Sequence, residues 1–339
     1  MTFEKKVIFT ITIAFLPFLS KGQYGGWASY SFLKGASDAF TTSLGGQQVS
    51  PISNDPSLYL NNPSLNDSIK KHYLKINFAP LWAGTSSSTI SYGRKLQSIG
   101  NLSASLQYIN YGSFQGTDAA GNLTNVFNAN DFALTIGHAR KVNNISIGLN
   151  LKLVGSTIDT YSAYAILADF GGYFKHPKKE ISYGLAIKNM GARLKNFSAE
   201  DSQELPFDVQ MGFTIRPEHM PFRFSINAHH LHQWNILIEK SAQIDLLSNQ
   251  KTVEETTFAG KLASHLIFGI EAFAHKNFQI NVGYNNLLRN ELKFDNLFTM
   301  AGFSAGIMIK TKKLNVGIGS QGIHPARGLT QISIFTPLK

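Results

Sequence analysis

Two short stretches of the sequence match patterns found in catalytic or cofactor-binding loops. Residues 302–306 (GFSAG) fit the G-x-S-x-G pattern of a serine nucleophile elbow, and residues 317–322 (GIGSQG) fit the G-x-G-x-x-G dinucleotide fingerprint. An elbow needs a sharp strand-to-helix turn, and the fingerprint needs a helix behind its glycines to hold the pyrophosphate. The first stretch lies inside an alternating strand pattern, and the second runs into Pro325. We therefore predict neither catalysis nor a bound cofactor there.

A histidine cluster is the third chemical candidate. His229, His230 and His232 lie close together in the sequence, and in a strand His230 and His232 would share a face, so a transition-metal site is conceivable. No carboxylate stands beside them in the sequence. A polar strand-to-loop transition, with Trp234 as an interface anchor, is the favoured interpretation, and we predict no metal site.

The composition indicates an exported protein with few charges. Charged residues make up 15% of the chain, against roughly 25% in an ordinary soluble domain. Lys5 and Lys6 precede an apolar run that ends at Leu19, and small residues follow it, which predicts a signal peptide over residues 1–22. The chain has no cysteine, so disulfides and thiolate metal sites are excluded. The net charge of +10 comes from scattered turns such as HPKKE and KTKK, which favours solvated turns at an anionic surface over a nucleic-acid site.

From Tyr73 onward the dominant pattern is an alternation of apolar and polar residues. In residues 145–153, Ile145, Ile147, Leu149, Leu151 and Leu153 occupy one face of the predicted strand. Similar segments begin near residues 73, 86, 100, 131, 144, 163, 180, 206, 221, 265, 277, 298, 312 and 328. Short connections alternate with long ones, as in bacterial outer-membrane barrels. The sequence thus predicts an all-β fold, a transmembrane antiparallel barrel of about fourteen strands over residues 73–339.

The charged and amide side chains of these predicted strands lie on the face opposite the apolar one. A soluble sandwich would also alternate, but a charged side chain on a lipid-facing position costs about 2 to 4 kcal/mol at the membrane midplane. The predicted lumen-facing polar residues are Lys75, Lys152, Asp169, Lys188, Asp208, Arg223 and Glu271. We expect the carboxylates to pair with the inward Lys and Arg, since spacing alone defines no acid–base pair.

Residues 23–72, which we call the N-terminal segment, do not follow the strand pattern. Between residues 30 and 68 they combine modest apolar content with turn-forming residues, namely Phe32, Leu33, Phe40 and Leu44 with Gly45, Gly46, Pro56 and Pro63. Asp55 followed by Pro56 predicts a short helix that ends near Asn61. A fourteen-stranded barrel has a lumen that its own side chains do not fill. We predict that this segment plugs it, and a loose periplasmic leader is the alternative.

Three long runs carry a family resemblance: LQYINYGSFQGTDAAGNLTNVFNANDFALTIGHAR from Leu106, LPFDVQMGFTIRPEHMPFRFSINAHHLHQWNI from Leu205, and LIFGIEAFAHKNFQINVGYNNLLRNEL from Leu266. They resemble the PorQ family of the Bacteroidetes type IX secretion system. The stretch FLKGASDAFTTSLGG followed by NNPSLN is similar to the opening of PorQ and PorV proteins, which are FadL-like outer-membrane barrels. The resemblance implies a plugged barrel that works beside a PorZ-like surface protein, a PorU-like sortase and PorV in attaching cargo to lipopolysaccharide.

The functional expectation is a non-catalytic membrane platform without cofactors. Its long loops, residues 111–130, 190–204 and 231–263, are predicted to hold the partner through apolar residues, namely Phe114, Phe127, Phe197, Trp234, Ile236 and Leu237. The alternative is a FadL-like transporter of hydrophobic small molecules, with the plug as its gate. An enzyme is not expected, because no nucleophile, base and orienting group come together in the strand pattern.

Overall fold

The computed structural model describes residues 29–53, 55–69, 72–96, 100–198, 203–237, 243–244, 251–252, 257–275, 277–292, 299–324 and 328–338. The predicted signal peptide lies outside the described residues. The main strands are β1 (His72–Pro80), β2 (Ser86–Leu96), β3 (Gly100–Thr117), β4 (Leu123–Val142), β5 (Ile145–Ile158), β6 (Tyr161–Lys175), β7 (Ile181–Lys195), β8 (Asp208–Ile215), β9 (Phe222–Ala228), β10 (Leu266–His275), β11 (Phe278–Asn285), β12 (Phe303–Lys310), β13 (Asn315–Gly322) and β14 (Gly328–Leu338).

These strands form one closed antiparallel barrel in chain order. The sheet closes where β1 pairs with β14, from His72 opposite Leu338 to Phe78 opposite Ile332. Closure leaves no open sheet edge, which is what a sheet needs in order to span lipid. The prediction of a fourteen-stranded antiparallel barrel is confirmed.

Each strand turns its apolar side outward. In β5, Ile147 and Leu151 are 62% and 54% exposed, whereas Asn150 and Lys152 on the other face are 0% and 4% exposed. A soluble barrel would bury the first pair and expose the second. The inverted order gives lipid an apolar face and places polar groups inside, as in outer-membrane barrels.

The helices of the described chain are short. Three 3-10 helices cover Ser31–Lys34, Pro56–Leu60 and Pro63–Ser68, and three α-helices are α1 (Ala39–Ser43), α2 (Phe258–Ser264) and α3 (Asn286–Glu291). The helix predicted to end near Asn61 is present: Asp55 caps it, and Pro56 occupies its first turn. Within the described ranges, no helix is long and apolar enough to cross a membrane.

The predicted loop 111–130 is wrong in its extent, because most of it is strand. β3 runs on to Thr117 and β4 begins at Leu123, not near residue 131, so the two strands project as a two-stranded ribbon. Phe114 pairs with Phe127 across the ribbon, and the two rings stack with centroids 5.5 Å apart. Both faces of the ribbon are largely exposed. Neither face therefore has to be apolar, and the sequence shows no alternation there.

Other boundaries differ less. β7 extends to Lys195, so the predicted loop 190–204 begins later than expected. β12 begins at Phe303, although a strand was predicted from near residue 298, which lies outside the described residues. Gly302 with φ of +82° makes the turn into β12, and its N–H donates to the carbonyl of Gly322. The loop between β9 and β10 contains α2 and a two-residue pairing of Gln243–Ile244 with Lys251–Thr252.

Candidate functional site

The described part of the N-terminal segment, residues 29–53 and 55–69, lies inside the barrel. It follows the inner wall around the lumen, from Ala39 against β14 to Ser50 against β8 and Asn66 against β4. Hydrogen bonds or ion pairs link it to β1, β3, β4, β5, β6, β7, β8, β9, β11, β12 and β14. It also packs against β2, β10 and β13. The segment thus contacts every strand of the barrel.

A buried lysine joins two turns of this segment to the wall. The Nζ atom of Lys75 on β1 lies 3.2 Å from Oδ2 of Asp38 and 2.8 Å from Oδ2 of Asp55. The other oxygen of each carboxylate caps a helix: Oδ1 of Asp38 accepts from the N–H of Thr41, and Oδ1 of Asp55 accepts from that of Ser57. The same two carboxylates therefore start two helices and bind one cation.

The charge of Lys75 also sets the protonation of Asp55. Burial acts to raise the pKa of the Asp55 carboxyl, but the Lys75 charge and hydrogen bonds from Lys75 and Ser57 together outweigh it. The pKa consequently lies below its ordinary value, and Asp55 is ionised at neutral pH.

Two further ion pairs lie on the inward wall. Lys152 Nζ is 2.7 Å from Asp169 Oδ2, and Arg223 Nη1 is 2.9 Å from Glu271 Oε2; all four side chains are buried. Asp208 is also buried and stands opposite Lys188 in the pairing of β7 with β8. The structure places all seven predicted lumen-facing polar residues on the inner face.

Glycines let the N-terminal segment approach the wall closely. A Cβ atom added to Gly184 would overlap the carbonyl oxygen of Val49, and one on Gly319 would overlap that of Ala39. Similar overlaps with the segment would occur at Gly137, Gly148, Gly171, Gly212, Gly283 and Gly306. This role was not predicted from the sequence, although the alternation of each strand already placed these glycines on the inward face.

The apolar residues of the segment fall into two groups. Phe40 and Leu44 belong to a cluster with Leu58, Leu65, Tyr173 and Met308. Leu33 and Tyr30 pack on an apolar patch of the inner wall, with Phe32 at its edge; the wall residues are Ala133, Val154, Ala163, Ala165 and Leu167. Gly45 and Gly46 have φ of +94° and +95°, a region that favours glycine, and they turn the chain after α1. Pro56 and Pro63 open the second and third 3-10 helices.

The predicted partner-binding residues lie in different places. Phe114 and Phe127 are on the ribbon of β3 and β4. Phe197 packs against the apolar patch that holds Tyr30 and Leu33, so it faces the lumen side. Trp234 contacts the rings of His265 at 5.7 Å and Phe258 at 5.2 Å between centroids. Ile236 and Leu237 are half-buried in the same loop.

The histidines form a cluster that sequence reasoning did not complete. His265 joins the three predicted histidines, since its Nδ1 is 2.8 Å from the carbonyl oxygen of His229, and the N–H of His230 donates to Asp208. Burial, and then the neighbouring His230, lower the pKa of His229 to about 3, so this ring is neutral. Among the residues that the structure describes, no group of three or more His, Cys, Asp or Glu could hold a metal ion.

The two motif matches have ordinary structural roles. Ser304 of the G-x-S-x-G stretch lies within β12, and its hydroxyl donates to the carbonyl of Ser43. The G-x-G-x-x-G stretch lies within β13, where Gly319 faces Ala39. Both stretches serve the contact between wall and N-terminal segment.

Comparison with known proteins identifies the fold. No family model matches the chain, and no curated protein matches it. The P. putida toluene transporter TodX is similar in structure, with a TM-score of 0.50 and 12% identity over 90% of this chain and 99% of that one. A Pseudomonas aeruginosa FadL homologue has a TM-score of 0.51 and 10% identity over 92% of this chain and 99% of its own.

At such low identity the likeness shows the fold alone. The chain is a closed fourteen-stranded antiparallel barrel, and its fold is similar to that of these two proteins. Membership of the PorQ family stays a prediction drawn from the sequence.

Proposed function

We propose that this chain is a non-catalytic outer-membrane barrel that keeps its lumen plugged and serves as the platform for a cell-surface attachment complex. One observation supports a platform over a conduit: buried charges as well as packing fasten the N-terminal segment to the wall. The identity of the complex, a type IX assembly with PorZ-like, PorU-like and PorV-like members, rests on the sequence resemblance.

The energetics of the lumen favour a segment that stays in place. Withdrawing it would separate Lys75 from Asp38 and Asp55 and break the hydrogen bonds between the segment and the wall. Each wall hydrogen bond adds about 0.5 to 1.5 kcal/mol of net stabilisation. A conduit at this level of the lumen would have to break several of these contacts.

The ribbon of β3 and β4 is the best-placed docking element for a protein partner. Strand pairing with β2 ends at Asn110, and pairing with β5 ends at Ala129, so the ribbon extends beyond the barrel wall from about residue 113 to residue 127. Leu123 and Val126 are 74% and 62% exposed, and Phe114 is 41% exposed. Under the rule that long loops face outward, this apolar surface lies at the cell exterior.

The test is co-purification of the surface partner with paired variants. We expect Phe114→Ser with Phe127→Ser to lose the partner, because exposed aromatic residues are typical binding anchors. Val142→Ser with Leu314→Ser is the matched control at the periplasmic turns, and it should keep the partner.

Trimming residues 231–263 tests the second loop in the same assay. Intact co-purification in both the ribbon variant and the trimmed variant would contradict the proposed docking site.

A second candidate is a transporter of hydrophobic small molecules. The apolar patch on the inner wall around Ala163 and Leu167 favours it, since such a patch could hold an apolar ligand if Tyr30 and Leu33 moved away. The two solved structures of similar fold also support it, because they are a toluene transporter and a FadL homologue. The platform proposal and this candidate therefore differ in whether the N-terminal segment moves.

Uptake measurements separate the two candidates. A strain that lacks the protein should take up toluene and long-chain fatty acids at the normal rate yet fail to display secreted cargo. Slow uptake with normal cargo display would overturn the platform proposal and establish the transporter.

A further inference from the structure

The ribbon of β3 and β4 has an open strand edge on each side. β4 pairs with β5 only as far as Ala129 opposite Ile158, and its residues 123–128 have strand partners only in β3. β3 likewise pairs with β2 only as far as Asn110. An open edge presents backbone N–H and C=O groups at the spacing of a ladder, so it can accept one more strand.

The β4 edge is regular where the ribbon leaves the barrel. Residues 126–129 pair with residues 112–115 without a register shift. The N–H of Asp159 donates to the carbonyl of Asn128 at 3.1 Å, so the backbone polar groups of Asn128 point to the β5 side. Because this direction alternates along an antiparallel strand, the N–H and C=O of Val126 also point to that side. There they lie past the last pair of β4 and β5 and face the open edge.

The β3 edge is less suited to pairing. Tyr111 is an extra residue at its base, where the register with β4 shifts between Asn110 and Gly112. The turn from β1 to β2 also stands beside this edge, since a Cβ atom on Gly112 would lie 3.8 Å from the carbonyl oxygen of Ala83. A bulge twists a strand and interrupts its ladder. The β4 edge is therefore the one that is open to a regular new strand.

The ribbon lacks the residues that commonly protect an exposed edge. Residues 111–117 and 123–130 contain no Lys, Arg, Asp, Glu or Pro. β7 also continues past its last pair with β8, but there it carries Arg193 and Lys195, and its register with β6 shifts. Edge charges and irregular register are typical defences against unwanted pairing. The β4 edge has an uncharged sequence and a regular base, which favours pairing.

Side chains on both faces of the ribbon can add to such pairing. The ring of Phe127 stacks on that of Phe114 on one face. Val126 lies on the other face and is 62% exposed. A strand beside β4 would place one side chain next to Phe127 and the following one next to Val126, and such cross-strand neighbours stabilise a sheet.

We propose that the partner docks by adding one extended segment to the β4 edge, as a new strand beside residues 125–128. This inference rests on the proposed platform function and specifies how its partner binds. Backbone hydrogen bonds to Val126 hold the segment, and an apolar side chain packs beside Phe127. The segment that fits alternates apolar and polar residues and carries few charges, because the ribbon offers no charge to pair with them.

Two proline variants test the proposal. Val126→Pro removes the N–H that faces the open edge, and proline is tolerated in edge strands at such positions. Gln115 lies directly opposite Val126, so its N–H points away from β4, and Gln115→Pro makes the same change at the β3 edge. The partner recovered by co-purification with the wild type is purified, and its affinity for each variant is measured. Val126→Pro should bind it about tenfold more weakly, whereas Gln115→Pro should bind it as the wild type does.

Hydrogen exchange of the wild-type complex provides a second measurement. The amide of Val126 should exchange about tenfold more slowly when the partner is bound, and the amide of Gln115 should keep its rate. An unchanged rate at Val126, wild-type affinity of Val126→Pro, or equal losses in the two proline variants would overturn strand addition.

The outcomes also separate this inference from the platform proposal. If Phe114→Ser with Phe127→Ser loses the partner while Val126→Pro keeps it, docking at the ribbon stands and strand addition fails. If the wild type recovers no partner, the platform proposal fails and strand addition fails with it. A dimer of this chain that Val126→Pro dissociates would overturn the inference by identifying a second copy as the occupant.

Discussion

Lys75 on the first barrel strand binds Asp55 of the N-terminal segment with 2.8 Å between Nζ and Oδ2, and the same ammonium binds Asp38. One cation thereby fixes the starts of two helices against the wall. A segment that only rested in the lumen would not need a buried charge on the wall. This cluster is the strongest physical link between the segment and the barrel.

Removing the cation should destabilise the protein strongly. Lys75→Met fills a similar volume but leaves two carboxylates without a partner, so the free energy of unfolding should fall by about 3 to 5 kcal/mol. Urea titration of the barrel in lipid vesicles measures the change. Lys195→Ala, at an exposed lysine, is the control and should change stability by less than about 0.5 kcal/mol.

A triple variant separates lost charge from lost packing. Lys75→Met with Asp38→Asn and Asp55→Asn retains helix caps, because asparagine is also a good N-cap, and removes both unpaired charges. It should recover more than half of the stability that Lys75→Met loses. If it is no more stable than Lys75→Met, the carboxylates are not what destabilises the single variant.

Neighbouring glycines on β6 test the close approach of segment and wall. A Cβ on Gly171 would overlap Asn62, whereas one on Gly172 meets no atom within 4 Å. Gly171→Val should therefore lower the unfolding free energy by about 1 to 3 kcal/mol and expose the segment to added protease, as overpacking does. Gly172→Val should do neither. Equal effects of the two substitutions would refute a tight fit at Asn62.

Acid should weaken the attachment of the segment. The pKa of Asp55 is lowered in the folded protein, so its ionised form contributes stability that is complete above its ordinary pKa of about 3.8. That contribution disappears as pH falls through the lower folded-state pKa. The difference in unfolding free energy between wild type and Asp55→Asn should thus be constant from pH 7 to pH 5 and shrink below about pH 4. A difference that shrinks above pH 5 would contradict this assignment.

The barrel could be predicted from the sequence because lipid outside and water or protein inside impose a period of two on every spanning strand. Ile147 and Lys152 show the effect in one strand, since opposite parity gives them opposite exposure. The ribbon of β3 and β4 escaped prediction for the same reason: Leu123 and Val126 lie on opposite faces of the strand and are both exposed, so no alternation is imposed there.

The lumen contacts could be predicted only in part. The alternation of residues predicted that Lys75 and Asp169 lie on the inner wall. Which ion pairs they form depends on strand register and on the path of the N-terminal segment, and no local sequence pattern encodes either. Asp55 appeared in the sequence as a helix cap, and a cap has the same local signature whether or not its second oxygen binds a lysine. The alternation also predicted that the glycines face inward. Only the structure shows which atoms of the N-terminal segment they contact.

A covalent lock tests most directly whether the protein works with its N-terminal segment fixed. The hydroxyl oxygens of Ser50 and Thr214 are 2.9 Å apart, and the chain has no native cysteine, so Ser50→Cys with Thr214→Cys can form one defined disulfide between segment and wall. Partner co-purification and cargo display are compared in the oxidised and reduced states of this variant. The platform proposal predicts equal function in both states. Loss of function on oxidation that a reductant restores would contradict it, because the segment would then have to move.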